Sequence, residues 1–370
     1  MEDLGIFDVI VIGGGLVGTA AALGMASDRA RVLIFDGDDG SFRASRGNFG
    51  LVWAQSKGAN NRDYATWTRR AVADWPMLEQ EVKALSGVDT AHKMGNGVHI
   101  CLDESEHLTR ARMVEKMAAH GLPHDDTRMI DASELREMFP GVGPDAVSAS
   151  TSSLDGACHS LALYRGLAAS AQAAGARLVS NAKVRAIKTE KGGYTVRTDT
   201  QSAHADRILI AAGLATNELA KPFGFPEMVH PQKGQILVTE RVAQTLPVIS
   251  SQIRQTPEGT ILIGDTKEDT GLDDSSSTAG LHKLAQRAVR IMPALASVRI
   301  VRSWAALRVL TADGNPVYDE SPTHKGVYVA TTHSGVTLAP AHRGPLAQWI
   351  LNGQLPPEFQ SFTAGRFTQQ

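Results

Sequence analysis

Residues 9–18 read VIVIGGGLVG, an apolar run that breaks into glycines at 13, 14, 15 and 18. This order suits a buried strand that turns tightly and opens a helix. Gly13 lets the chain turn, Gly15 lets a pyrophosphate approach the backbone, and Gly18 lets helix and strand pack closely. The start of the helix then points bare N–H groups at the phosphates. Gly14 and Val17 fall inside the same turn.

A lone GxGxxG is weak evidence, so its surroundings decide. Residues 31–35, RVLIF, form a second apolar strand that ends at Asp36, eighteen residues after Gly18. An acid there accepts hydrogen bonds from adenosine ribose hydroxyls and repels a 2′-phosphate, which disfavours NADP. Strand, turn, helix and acid together point to a dinucleotide but do not separate NAD from FAD. Residues 9–26 carry no charge, which superficially resembles a membrane span or a signal peptide. The preceding Met1, Glu2 and Asp3 are acidic where a signal peptide is basic, and the glycines sit where a nucleotide turn needs them.

Composition excludes other classes. The 370 residues are 42% hydrophobic and 21% charged with a formal net charge of −2, which describes an ordinary globular chain. No basic run tracks a nucleic-acid backbone. Cys101 and Cys158 form no CxxC pair, so neither a disulfide framework nor an iron–sulfur cluster within the chain is expected, and the cytoplasm is the default compartment. Each cysteine reads as a small buried apolar residue. HExxH is absent, and no metal site is expected.

Residues 41–58, SFRASRGNFGLVWAQSKG, read either as a surface loop or as a cover for the pyrophosphate and flavin carrying Arg46. Residues 61–85 have helical spacing, with Tyr64, Trp67, Val72, Trp75, Leu78, Val82 and Leu85 as a core face. A strand is expected at 95–102, a helix at 106–120, a capped short helix at Asp131, a helix at 161–174 and a strand at 177–180. Residues 184–189 and 193–198 make a hairpin, and 207–213 is another buried strand. Residues 233–240, 250–254 and 259–264 alternate as antiparallel strands. A helix at 279–291, a strand at 326–332 and a helix at 342–351 complete the chain. Without a linker or repeat, two domains must interleave. The expected fold is α/β: a Rossmann-like nucleotide domain (1–85, 146–220, 306–370) and an antiparallel-sheet substrate domain (86–145, 221–305).

Four landmarks occur in order: VIGGGLVG with Asp36, ILIAAG at 208–213, WAALRVLTADGNPV at 304–317 and VYVATTHSGVTLAP at 327–340. Together they resemble the FAD-dependent D-amino acid oxidase family, which includes glycine and sarcosine oxidases. Within it, SRGNFGLVWAQSKG and HSGVTLAPAHRGPLA look most like the B (β) chains of bacterial opine oxidases and related hydroxyproline or glycine dehydrogenases. The resemblance implies FAD in place of NAD. It assigns Gly13, Gly14, Gly15, Val17, Gly18 and Asp36 to the ADP moiety, and Ser45 and Arg46 to the loop over the pyrophosphate. Val184 meets the adenine through its backbone, Ala212 and Gly213 close over the cofactor, and Gly335, Val336 and Thr337 offer N–H groups to the flavin. Donors at that edge stabilise the charge of reduced flavin. Relatives with covalent flavin use a cysteine late in the chain. Cys101 and Cys158 are not near that region, so non-covalent FAD is expected.

Arg308 sits in an otherwise apolar strand, where a cation is costly unless paired. It reads as a structural salt bridge or as the group that grips a substrate carboxylate through two parallel hydrogen bonds. The family places its carboxylate-binding arginine at this position, although many relatives follow it with proline where this chain has Val309. His333 reads as a pocket residue or as a satisfied strand-end histidine, and Arg254 as a second cationic contact for a diacid. His230, His159 and Lys233 read as weaker candidates, or simply as surface groups. The resemblance implies oxidation of the C–N bond of an amino acid or opine by hydride transfer to flavin. Such a β chain works with an A subunit and a small iron–sulfur subunit carrying a 2Fe–2S cluster. Some relatives also hold FMN at the interface, for which residues 43–57 are a candidate. A self-contained oxidase producing hydrogen peroxide and a non-catalytic nucleotide-binding subunit are the alternatives. Neither nucleic acid nor a membrane span is expected.

Overall fold

The computed structural model describes residues 1–37, 43–95, 97–243 and 246–368. Ser41 and Phe42, at the start of the glycine-rich stretch, lie outside the described residues.

The strand Glu2–Ile12 is the centre of an eight-stranded sheet. It pairs in parallel with Val32–Phe35 on one side and Gln201–Ile210 on the other. Its inner half is buried on both faces, with Val9 and Val11 in one apolar cluster and Ile10 and Ile12 in the other. That explains an apolar run without alternation. Each such side chain contributes about 1.5–3 kcal/mol of burial. Arg177–Val179 extends the parallel sheet beyond Val32–Phe35, and Val327–Thr331 pairs in parallel with Gln201–Ile210. The hairpin Ala186–Glu190 and Gly193–Arg197 closes one edge.

The uncharged stretch 9–26 is divided between this strand and the helix Leu16–Ser27. No helix among the described residues is long and apolar enough to cross a membrane. The helical spacing over 61–85 resolves into two helices, Arg62–Ala73 and Trp75–Ser86. Pro76 in the first turn of the second cannot donate a backbone hydrogen bond, so the chain restarts there. Tyr64, Trp67, Val72, Trp75, Leu78 and Val82 are all buried in the main core, as their spacing predicts, whereas Leu85 is exposed.

The antiparallel region is built from His230–Arg241 between Ile300–Leu310 and Thr260–Ile263, with Ile253–Gln255 outermost. The single strand expected at 250–254 is two. Ile249–Ser250 joins the sheet of Gly97–Cys101, while Ile253–Gln255 joins that of Thr260–Ile263. Gln252 bridges the junction, its Nε2 donating to Ile100 O at 2.8 Å. The change between sheets also falls later than position 306. Ile300–Leu310 is one strand, paired from Leu310↔His230 to Ile300↔Thr239. Ser148–Ser152 likewise pairs with Gly97–Cys101, so the crossing expected at 146 falls after Ser152.

Candidate active site

The glycine turn opens a cavity of about 600 Å³ that runs from Asp36 to His333. It is lined by Gly13, Gly15, Val17, Ser45, Arg46, Val184, Ala212, Gly213, Gly335 and Val336, all expected from the sequence. Gly13 has φ +112°, and a Cβ there would stand 2.3 Å from Ala211 O. Gly18 lies behind the cavity, where a Cβ would meet Gly13 O at 2.0 Å, so its part is close packing. Gly14 packs on the Asp36 side chain.

Unpaired donors test whether these residues fit a dinucleotide. The N–H groups of Gly14, Gly15 and Val17 have no acceptor among the described residues, and neither do those of Gly335, Val336 and Thr337. Two clusters of bare N–H groups at opposite parts of one cavity suit phosphate oxygens and an anionic ring edge. Ser45 Oγ accepts from Leu16 N at 3.0 Å and thus sits at the helix start. Arg46 lies 5.3 Å over the Tyr164 ring, at the cavity wall. Asp36 is buried at the end of its strand beside Arg43.

The turn after Val327–Thr331 is fastened from below. Tyr64 OH and Ser334 Oγ are 2.6 Å apart. Thr337 Oγ1 accepts from Trp53 N at 3.1 Å, and Thr337 O accepts from Trp75 Nε1 at 3.1 Å. The aromatic helices therefore serve the site by holding this turn.

Arg308 projects from Ile300–Leu310 over Gly234, where a Cβ would collide with it. Its guanidinium donates to the Asp265 carboxylate and to Gln232 Oε1 at 3.2 Å, Thr266 O at 2.5 Å and Lys233 O at 3.4 Å. Both readings of this residue thus have a footing: it is salt-bridged, and it stands beside the cavity end. His333 lines the cavity, and its Nδ1 is 3.2 Å from Lys57 Nζ. Burial, together with the charges of Lys57, Arg308 and Lys267, pushes the imidazole well below its ordinary range, so His333 is neutral at pH 7. Burial and the charges of Lys267 and Arg308 pull the Lys57 amine down to about 8, with Asp265 opposing. Lys57, Lys267 and Asp265 carry no motif signal. Their grouping depends on three separate loops.

Arg254 is not among the residues of this cavity. It is buried behind the loop, donating to Phe49 O at 2.9 Å, and it lines a separate cavity with Lys93 and Glu258. Lys233 is a buried ion pair with Asp273 at 2.9 Å, and His159 caps the helix Ser160–Ala173. Cys101 and Cys158 are free and buried, and burial pushes the Cys158 thiol up to about 12.

A cavity with phosphate-binding turns, ending in a guanidinium, an amine and a neutral imidazole, is laid out to hold an organic acid against a redox nucleotide. This is the construction of a flavin-dependent oxidoreductase. The chain belongs to the DAO family of FAD-dependent oxidoreductases, whose model matches residues 8–347. It is 37% identical over 366 residues to the B chain of the opine oxidase of Rhizobium meliloti, covering 98% of each chain. It is 27% identical over 330 residues to glycine oxidase of Geobacillus kaustophilus, covering 88% of this chain and 87% of that one. The crystal structure of glycine oxidase from that organism superposes with a TM-score of 0.90 at 25% identity, covering 97% of this chain and 98% of that one.

Proposed function

We propose that the chain oxidises the C–N bond of a carboxylate-bearing amine, an amino acid or opine. It does so as the catalytic β chain of a cytoplasmic assembly with an A subunit and a small 2Fe–2S subunit. The carrying observation is the convergence of Arg308, His333 and Lys57 at the end of the dinucleotide cavity. Non-covalently bound FAD supplies the acceptor for the hydride that leaves the carbon. Gly13, Gly14, Gly15, Val17, Gly18, Asp36, Ser45, Arg46, Val184, Ala212 and Gly213 hold its ADP half or close over it. Gly335, Val336 and Thr337 face its ring.

Arg308 receives the substrate carboxylate in exchange for Asp265, and so orients the α-carbon. Lys57, Lys267 and Arg308 together disfavour an ammonium at the substrate nitrogen and so favour the neutral amine that reacts. His333, uncharged, shapes the pocket without adding to that repulsion. The multi-subunit reading is supported by the 37% identity to one chain of an opine oxidase that is built from several. FMN held against residues 43–57 by a partner would carry the electrons onward.

The test is an anaerobic absorbance titration of the purified flavoprotein with octopine, nopaline, D-hydroxyproline, sarcosine and glycine. Bleaching by one of them is expected. A flavin spectrum that none bleaches, with or without the partner subunits, would sink the reading. The 0.90 TM-score to a glycine oxidase favours a second reading, a self-contained oxidase. Oxygen consumption and peroxide release by the isolated chain would select it.

A further inference from the structure

Lys57 stands on a turn that the protein braces heavily. The Asp155 carboxylate is fully buried and accepts from the N–H groups of Ala54 and Gln55, the latter at 3.2 Å. The Gln55 side chain, also fully buried, bonds Asp155, Arg110 and Ser150. Lys57 N closes the turn on Ala54 O at 3.0 Å. A buried polar network of this kind fixes one arrangement, because each member loses a partner if the turn moves. Its visible consequence is the placement of one ammonium group beside His333.

That ammonium has no carboxylate partner among the described residues. Asp265, the acid that faces it, is taken by Arg308. Neutral His333 accepts one hydrogen bond at Nδ1. The two remaining donors of Lys57 are free to bind an anion. A withdrawn lysine without a counter-ion is costly in a structural role and reasonable in a binding one. Arg308 comes from the strand Ile300–Leu310 and Lys57 from a turn near residue 50, so two cationic stations approach the cavity end from different elements.

We infer that Lys57 binds a second carboxylate of the substrate, with Arg308 binding the first, so that the site selects amines bearing two carboxylates. Asp155 and Gln55 are positioning residues for Lys57. The inference rests on the amine-oxidising reading above and deepens it. It assigns to Lys57 the part that the sequence alone suggested for Arg254.

Thiodiacetate and (methylthio)acetate test it, since both lack the reacting nitrogen and differ by one carboxylate. Their binding to the FAD-loaded protein is measured by calorimetry and by perturbation of the flavin spectrum. In the native chain the diacid should bind at least about tenfold more tightly. Lys57→Met and Lys57→Gln should abolish that preference while leaving (methylthio)acetate affinity within about twofold. Lys57→Arg should retain part of it. Equal weakening of both ligands by either variant, or no preference in the native chain, overturns the inference and leaves the amine reading standing. Binding of neither ligand overturns both.

Discussion

The Arg308 guanidinium donates to the carboxylate of Asp265, so the cation proposed to grip substrate already holds an acid of its own chain. Gln232, Thr266 and Lys233 take further donors. A substrate carboxylate must therefore compete with Asp265. Asp265→Asn removes the competing charge and keeps a similar shape. (Methylthio)acetate should bind about tenfold more tightly to this variant, roughly 1.4 kcal/mol. Weaker binding, read by calorimetry, would mean that Asp265 helps to aim Arg308 and does not rival the ligand.

Arg308→Lys tests the fork itself. Lysine keeps the charge but presents a point donor where arginine offers parallel N–H bonds. (Methylthio)acetate affinity should fall by about tenfold to a hundredfold, roughly 1.4–2.7 kcal/mol. Flavin content should not change, because Arg308 does not line the described part of the dinucleotide cavity. Unaltered affinity would assign Arg308 to the salt bridge alone.

Gly18→Ala addresses the cofactor end. The added Cβ would stand 2.0 Å from Gly13 O, a backbone atom that cannot swing aside. The helix must then lift from the turn, and the row of N–H groups at Gly14, Gly15 and Val17 loses its aim. The purified variant should show a much lower ratio of flavin to protein absorbance and a lower melting temperature. Native flavin content in this variant would show that the close helix–strand contact is not what builds the phosphate site.

The cofactor end was legible because its requirements are local. A turn at Gly13, close packing at Gly18 and an acid at Asp36 are imposed on consecutive or regularly spaced residues. Strand breaks were less legible. Nothing in the alternation of 250–254 reveals that Gln252 hands the chain from one sheet to another. The substrate end was legible only where a residue violated its surroundings, as Arg308 does in an apolar strand. Lys57, Asp265 and Lys267 are ordinary in their local sequence and acquire meaning only from the long-range placement of three loops. Arg254 looked suitable for the same reason as Arg308, a cation among apolar neighbours, but its strand directs it to the Phe49 carbonyl.

Acid stability should report on His342, which supports the helical segment after the flavin-facing turn. The ring is fully buried, its Nε2 lies 2.8 Å from Tyr318 OH, and its Nδ1 has no partner. Burial pushes it down to about 3 from an ordinary 6.5. Between those values the unfolded chain binds a proton that the folded chain refuses, so stability rises with pH across this window and is lost as pH falls below 6.5. At pH 5 the loss from this group is about 2 kcal/mol. His99 is pushed down to about 3 by burial and by nearby Arg110 and Arg287, so it adds a second slope of the same sign. His342→Gln should remove the first slope and leave the second. Urea unfolding at pH 7.5 and pH 5 should show a markedly smaller difference for this variant than for the native chain. An equal difference in both would mean that His342 takes up its proton without unfolding the core around Tyr318.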